Sequence, residues 1–149
     1  ELPAARDGVR RTVTAFLIGD AALWSAVALI TLLRGNRSLS ALNADLIGNS
    51  SILAAIAVLI VAAALSRSAQ IPLPATLAAP TPVSALLHAG VVNAGGVLLV
   101  RLSPIVSGSP VAMGIAFTAG LLSMVYGAIV MLTKADIKGS LAYSTMAQM

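Results

Sequence analysis

Long apolar stretches alternate with short polar ones along this chain, and their lengths set the first expectations. Thr12 to Leu33 is 22 residues with a single charge, Asp20. That is enough for a helix to cross a hydrocarbon core about 30 Å thick at about 1.5 Å per residue. The polar stretch before it, Glu1 to Arg11, reads as a loop. Arg34 to Asn49 reads as a second loop, punctuated by Gly35, Asn36, Ser38, Asn43, Asp45 and Gly48. A second apolar run begins at Leu46 and continues past Arg67 through Ile71, Leu73, Ala75, Leu77, Ala78 and Ala79. Val83 to Val100 is a third span, opened by Pro82, which suits a first helical turn with Thr81 as its cap. Arg101 to Pro110 is a loop. Val111 to Leu132 is a fourth span without any charge, and after a polar turn a fifth helix begins, within 137–149.

Composition turns this pattern into a class. The 149 residues are 58% hydrophobic and only 9% charged, with a mean hydropathy of +0.98. A soluble domain carries roughly 25% charged residues, and a chain this short cannot hide so much apolar surface from water. The expected fold is therefore all-α: a polytopic transmembrane helix bundle, seen as a fragment of about four spans plus the start of a fifth. The chain begins at Glu1 and ends at Met149 inside a rising helix, so it reads as an internal piece of one larger membrane domain. Aromatics make up 3%, leaving Trp24, Tyr126 and Tyr143 as candidates for an interfacial belt.

Charge and residue chemistry narrow the function further. There is no cysteine, hence no disulfide, Cys-zinc site or iron–sulfur cluster, and one histidine is too few for a haem pair or a His-rich metal site. No metal and no cofactor are expected. The net charge of +4 does not point to nucleic acid; in a membrane protein positive charge marks the cytoplasmic loops. By parity of the spans, Arg6, Arg10, Arg11, Lys134 and Lys138 share one side, and Arg34, Arg37 and Arg101 the other. The Arg6/Lys138 side is the expected cytoplasmic face of a multi-pass protein in the cell inner membrane. No Walker loop or nucleophile triad is present, and GVVNAGG lies inside a membrane helix, so it is not a phosphate cradle. Whether the chain serves an enzyme is left open by its residues.

The chemistry concentrates between Arg67 and Arg101. Pro72, Pro74, Pro80 and Pro82 lie within otherwise apolar sequence, and each lacks a backbone donor. In lipid such a break is tolerated only against other protein or a wet cavity. Residues 46–79 therefore read as one discontinuous helix, broken around Gln70–Pro74. Broken helices with ionisable groups near mid-membrane are common hardware of ion pathways. Asp20, near the middle of its span, is either a proton-relay member or the structural partner of a basic residue. Arg67 either snorkels to headgroups or lies below the break. His88 is either a satisfied core histidine or a group that titrates near neutral pH. The glycines of the third span, and the spacings Ala116/Gly120 and Ser123/Gly127, are packing signals. Lys134 and Lys138 are four apart and share a face. Asp136 falls near the start of the fifth helix, where the helix dipole favours a carboxylate.

Several blocks carry a resemblance. RSAQIPLP, APTPVSALLHAG and KADIKGSLAYSTMAQM are similar to signature blocks of the proton-conducting antiporter-like membrane subunits. That family includes the large membrane-arm subunits of NADH–quinone oxidoreductase (L, M and N) and the Mrp-type antiporters. AFLIGDAALWSA resembles the family's sixth transmembrane helix, so the chain would run from there to the start of the tenth. HAGVVNAGGVLLVR, following APTPVSALL, resembles most the B subunit of DAB-type inorganic-carbon transporters, whose membrane subunit works with a soluble, carbonic-anhydrase-like zinc partner.

The resemblance implies a proton pathway through Asp20, Arg67, His88, Lys134, Asp136 and Lys138. Two departures stand out. The family has a lysine where this chain has Arg67, and an arginine stays charged and cannot carry a proton at ordinary pH. The distance from Arg67 to His88, 21 residues, is also about one helical turn shorter than the family's. The implied function is proton conduction coupled to a partner: energised inorganic-carbon uptake, or else a respiratory or Mrp-type subunit, or else a membrane scaffold with a degenerate ion path. Implied partners are protons, membrane lipid, other membrane subunits or a zinc carbonic-anhydrase-like subunit.

Overall fold

The computed structural model describes residues 2–35, 50–67, 82 and 90–148. Among them nearly every residue is helical and none lies in a strand. Six helices follow in order: α1 (Leu2–Arg34), α2 (Ser50–Arg67), α3 (Asn93–Arg101), α4 (Ser103–Ser107), α5 (Pro110–Thr133) and α6 (Ile137–Gln148).

The second helix is the hub. Its residues Leu53, Ile56, Ala57, Ile60, Val61 and Ala64 are buried, and they recur at three- and four-residue steps along one stripe. Ala63 is buried as well. α2 packs against α1, α3, α4 and α5. The core it organises includes Ala26 of α1, Leu102 between α3 and α4, Ile105 and Val106 of α4, and Ala112 of α5. At about 1.5 Å per residue, the 18 residues of α2 cover about 27 Å. A helix apolar on nearly every side belongs inside a bundle.

Around this hub lie two helices long and apolar enough to cross a membrane. Arg6–Leu33 has 28 residues and Pro110–Thr133 has 24, and only 11% of the apolar window of each is buried within the chain. Their outward faces carry Leu17, Ile18, Trp24 and Leu32 on α1, and Phe117, Leu122, Ile129 and Leu132 on α5. Such faces are costly in water and are at home in lipid or against further membrane helices. The molecule is a piece of a membrane helical bundle.

Two stretches expected as loops are helical. Residues 2–11 continue α1 rather than preceding it. Pro3 falls in the first turn, where its missing donor costs nothing, and arginine is a good helix former. The expected loop 101–110 contains α4, whose Ile105 and Val106 turn into the core. At its end the Ser109 side chain accepts a hydrogen bond from the Ala112 N–H at 3.3 Å, and Pro110 opens α5 at the position where proline is best tolerated. Of the expected third span, residues 83–89 lie outside the described residues; from Gly90 the backbone passes through a wide helical turn at Gly90–Val91 into α3.

A smaller apolar cluster joins the end of the chain to α5. Val92, Ala142, Tyr143 and Met146 are buried there, with Val130 and Met131 packed on them. Ser123 and Gly127, one small-residue pair read in the sequence, are both buried on α5. A Cβ on Gly127 would lie 2.9 Å from both the Tyr143 carbonyl and the Ala147 nitrogen, so α6 approaches α5 backbone to backbone.

Candidate ion-pair site between two membrane helices

Phe16, Gly19 and Asp20 lie at three- and four-residue steps on α1 and therefore share one face. That face meets the end of α2. Gly19 is buried against Ser66: a Cβ there would collide with the Ser66 hydroxyl and lie 2.6 Å from Ser66 Cβ. Glycine is what permits the approach. Ser66 keeps its hydroxyl occupied locally, donating to the Ala63 carbonyl at 2.7 Å, so it asks nothing of α1.

The residue after each of these contact points is charged, and the two charges meet. The Arg67 guanidinium donates through Nη2 to the Asp20 carboxylate oxygen Oδ1. Arg67 is the last residue of α2, where a cation also interacts favourably with the helix dipole. The Arg67 Cζ further lies 5.3 Å from the centre of the Phe16 ring, over its face. The guanidinium is thus held by a carboxylate and an aromatic ring from successive turns of α1. The side chains of Arg67 and Asp20 keep 34% and 41% of their exposure, so one side of the pair stays open. Asp20 sits near the middle of the apolar stretch Arg6–Leu33, far from either end.

The other sequence-derived residues are placed differently. Asp136 is exposed and stands just before α6. Its carboxylate Oδ2 accepts from the Gly139 N–H at 2.6 Å, while its carbonyl accepts from the Ser140 N–H at 3.0 Å. That is the geometry of a helix N-cap, which satisfies donors that have no partner within the helix. Lys134 is exposed at the end of α5 and places its Nζ 5.4 Å from the centre of the Tyr143 ring, which Tyr126 meets edge-on at 6.3 Å. Lys138 is half-buried in the first turn of α6. The six residues therefore divide: Asp20 and Arg67 meet across α1 and α2, whereas Lys134, Asp136 and Lys138 cluster at the α5–α6 turn. His88 and the proposed breaks at Pro72, Pro74 and Pro80 lie outside the described residues; Pro82 is described and exposed. Among the described residues no group of three or more acidic, histidine or cysteine side chains is arranged to hold a metal ion.

Reasoning from sequence passed over Phe16, Gly19 and Ser66. The signal available for the first two was their spacing of four and one from Asp20, which puts a flat ring and a missing side chain beside the charge. Nothing local marked Ser66.

Comparison with known proteins adds the family. Residues 8–149 match the family described as NADH:quinone oxidoreductase/Mrp antiporter, TM. A probable inorganic carbon transporter subunit DabB1 of Halothiobacillus neapolitanus is 45% identical over 111 residues, covering 72% of this chain and 20% of that protein. A probable K(+)/H(+) antiporter subunit of Rhizobium meliloti is 40% identical over 152 aligned positions, covering 97% of this chain and 15% of that protein. The chloroplastic NAD(P)H-quinone oxidoreductase subunit 5 of Nuphar advena is 44% identical over 106 residues, covering 68% of this chain and 14% of that protein. The chain thus spans a fifth or less of the length of these relatives. Bundle, apolar spans and a match over nearly every residue agree: the chain belongs to the membrane-integral family of NADH:quinone oxidoreductase and Mrp antiporter transmembrane subunits.

Proposed function

We propose that this chain is a segment of a proton-conducting membrane subunit that couples proton translocation to a partner in the energised uptake of inorganic carbon. The observation that carries the reading is the Asp20–Arg67 pair, a carboxylate near the middle of an apolar span joined across helices to a fixed cation. Ionisable groups in such places are expensive and mark ion pathways. The path runs through Asp20, Arg67, His88, Lys134, Asp136 and Lys138. Arg67 stays charged throughout and sets the field; Asp20 and His88 take up and release protons. Charging one group shifts the proton affinity of the next through Coulomb coupling in a poorly screened interior. The full-length protein sits in the cell inner membrane with the Arg6 and Lys138 side facing the cytoplasm, beside other membrane subunits or a soluble zinc carbonic-anhydrase-like subunit.

Support for carbon uptake comes from the HAGVVNAGG wording and the 45% identity to a probable inorganic carbon transporter subunit. The test is proton flux into vesicles carrying the full-length protein with its partner. Flux that rises with bicarbonate or CO2 supports the reading. Flux that follows quinone reduction or a K+ or Na+ gradient moves the assignment to the respiratory or Mrp-type members instead.

A second reading, a membrane scaffold for a catalytic partner, is favoured by Arg67, since an arginine replaces a group able to titrate. A wild-type rate of partner-dependent activity after combined His88→Ala and Asp20→Asn substitution would establish the scaffold.

A further inference from the structure

Arg67 has two partners on α1, and only one of them can change its charge. The carboxylate of Asp20 is neutralised whenever it accepts a proton. The guanidinium remains cationic and then faces a site whose counterion has gone. With one side of the pair open, such a cation would swing away toward water or another acid. The Phe16 ring, one turn before Asp20 and 5.3 Å from the Arg67 Cζ, offers its negative face to the same cation in either state.

We propose that Phe16 is a positioning residue that keeps the Arg67 guanidinium against α1 while Asp20 is protonated. The proposal rests on the reading of Asp20 as a proton-exchanging group. In the step itself, an Asp20 carboxylate oxygen takes a proton from the pathway and its ion pair with Arg67 is lost. The cation–π contact to Phe16 persists. When the proton leaves, the carboxylate regains a guanidinium that has not moved, so the next cycle starts from the same geometry. The close crossing at Gly19 and Ser66 keeps the two backbones fixed during the exchange. Phe16 thereby acts through Arg67 and carries no proton itself.

The test is a mutant cycle in the detergent-solubilised full-length protein, with unfolding rate as the readout. Asp20→Asn stands in for the protonated carboxyl. With native Asp20, Phe16→Leu should speed unfolding slightly. With Asp20→Asn, the same Phe16→Leu change should speed it by at least about threefold more, within the roughly two- to thirty-fold range of a cation–π contact. Phe16→Trp, which offers a stronger ring face, should return the rate to that of Phe16 in the Asp20→Asn background. Equal effects of Phe16→Leu in both backgrounds would overturn the proposal, as would Phe16→Trp behaving like Phe16→Leu. Because this readout needs no transport, it decides the role of Phe16 even if wild-type vesicles conduct no protons, a result that would count against the functional reading alone.

Discussion

Two helix contacts in this molecule are built on the same device and set their charges in different surroundings. At the α1–α2 crossing, Gly19 lets Ser66 approach, and the neighbouring Asp20 and Arg67 pair across the gap. At the α5–α6 hairpin, Gly127 lets Tyr143 and Ala147 approach, and the nearby charges lie at the turn between the helices. There Asp136 caps α6 and Lys134 lies over Tyr143. The difference is position along the helix. Charge at a helix end finds an unpaired backbone donor, a dipole or an exposed ring, so local folding accounts for it. Charge in the middle of an apolar helix has no such employment. The pair it forms is a poor source of stability, because both side chains keep a third or more of their exposure.

The largest effect expected on the comparison comes from closing the glycine gaps. Gly19→Leu and Gly127→Leu should each destabilise the folded protein by about 1–3 kcal/mol or more, since the added side chain meets the Ser66 side chain down to its Cβ in the first and backbone atoms of α6 in the second. The two then separate: Gly19→Leu should also break the Asp20–Arg67 pair, while Gly127→Leu should leave that pair in place. Unfolding in detergent together with vesicle flux reads both. Next in size are the charges themselves. Arg67→Ala should cost about 1 kcal/mol of stability, held down because the pair is a third or more exposed. Arg67→Lys should recover most of that loss.

A matched effect is expected at the hairpin. Asp136→Ala removes the cap and should cost about 1 kcal/mol, whereas Asp136→Asn keeps an acceptor for the Gly139 N–H and should be close to neutral in stability. The smallest change is expected for Lys134→Gln, about 0.5 kcal/mol for an exposed cation over a ring. A larger loss there would mean that the α5–α6 turn depends on its charges as the α1–α2 crossing does.

What the sequence made legible followed from run length and position. The uncharged run 111–132 anticipated α5, which spans Pro110–Thr133, and the placement of Asp136 anticipated a helix start. Asp20 stood out because a single charge interrupts 22 apolar residues. The extension of α1 back to Leu2 was hidden, because polarity tells where the membrane ends and not where the helix ends. α4 was hidden because five residues are too few for a periodic pattern, and only the burial of Ile105 and Val106 reveals why that turn is helical. The Asp20–Arg67 pair joins positions 47 apart. Such a meeting depends on how α1 and α2 cross, and that crossing, which brings Gly19 against Ser66, has no signature in either helix alone.

That Asp20 is the indispensable carboxylate of the proposed path, while Asp136 also caps α6, is the point on which the transport reading stands. It is tested most directly by proton flux per folded molecule in vesicles carrying the full-length protein and its partner, comparing Asp20→Asn with Asp136→Asn. Asp20→Asn should lose about a hundredfold, the scale on which a positioned proton-transfer group contributes, and Asp136→Asn much less. Undiminished flux in Asp20→Asn, or equal losses in the two variants, would contradict it.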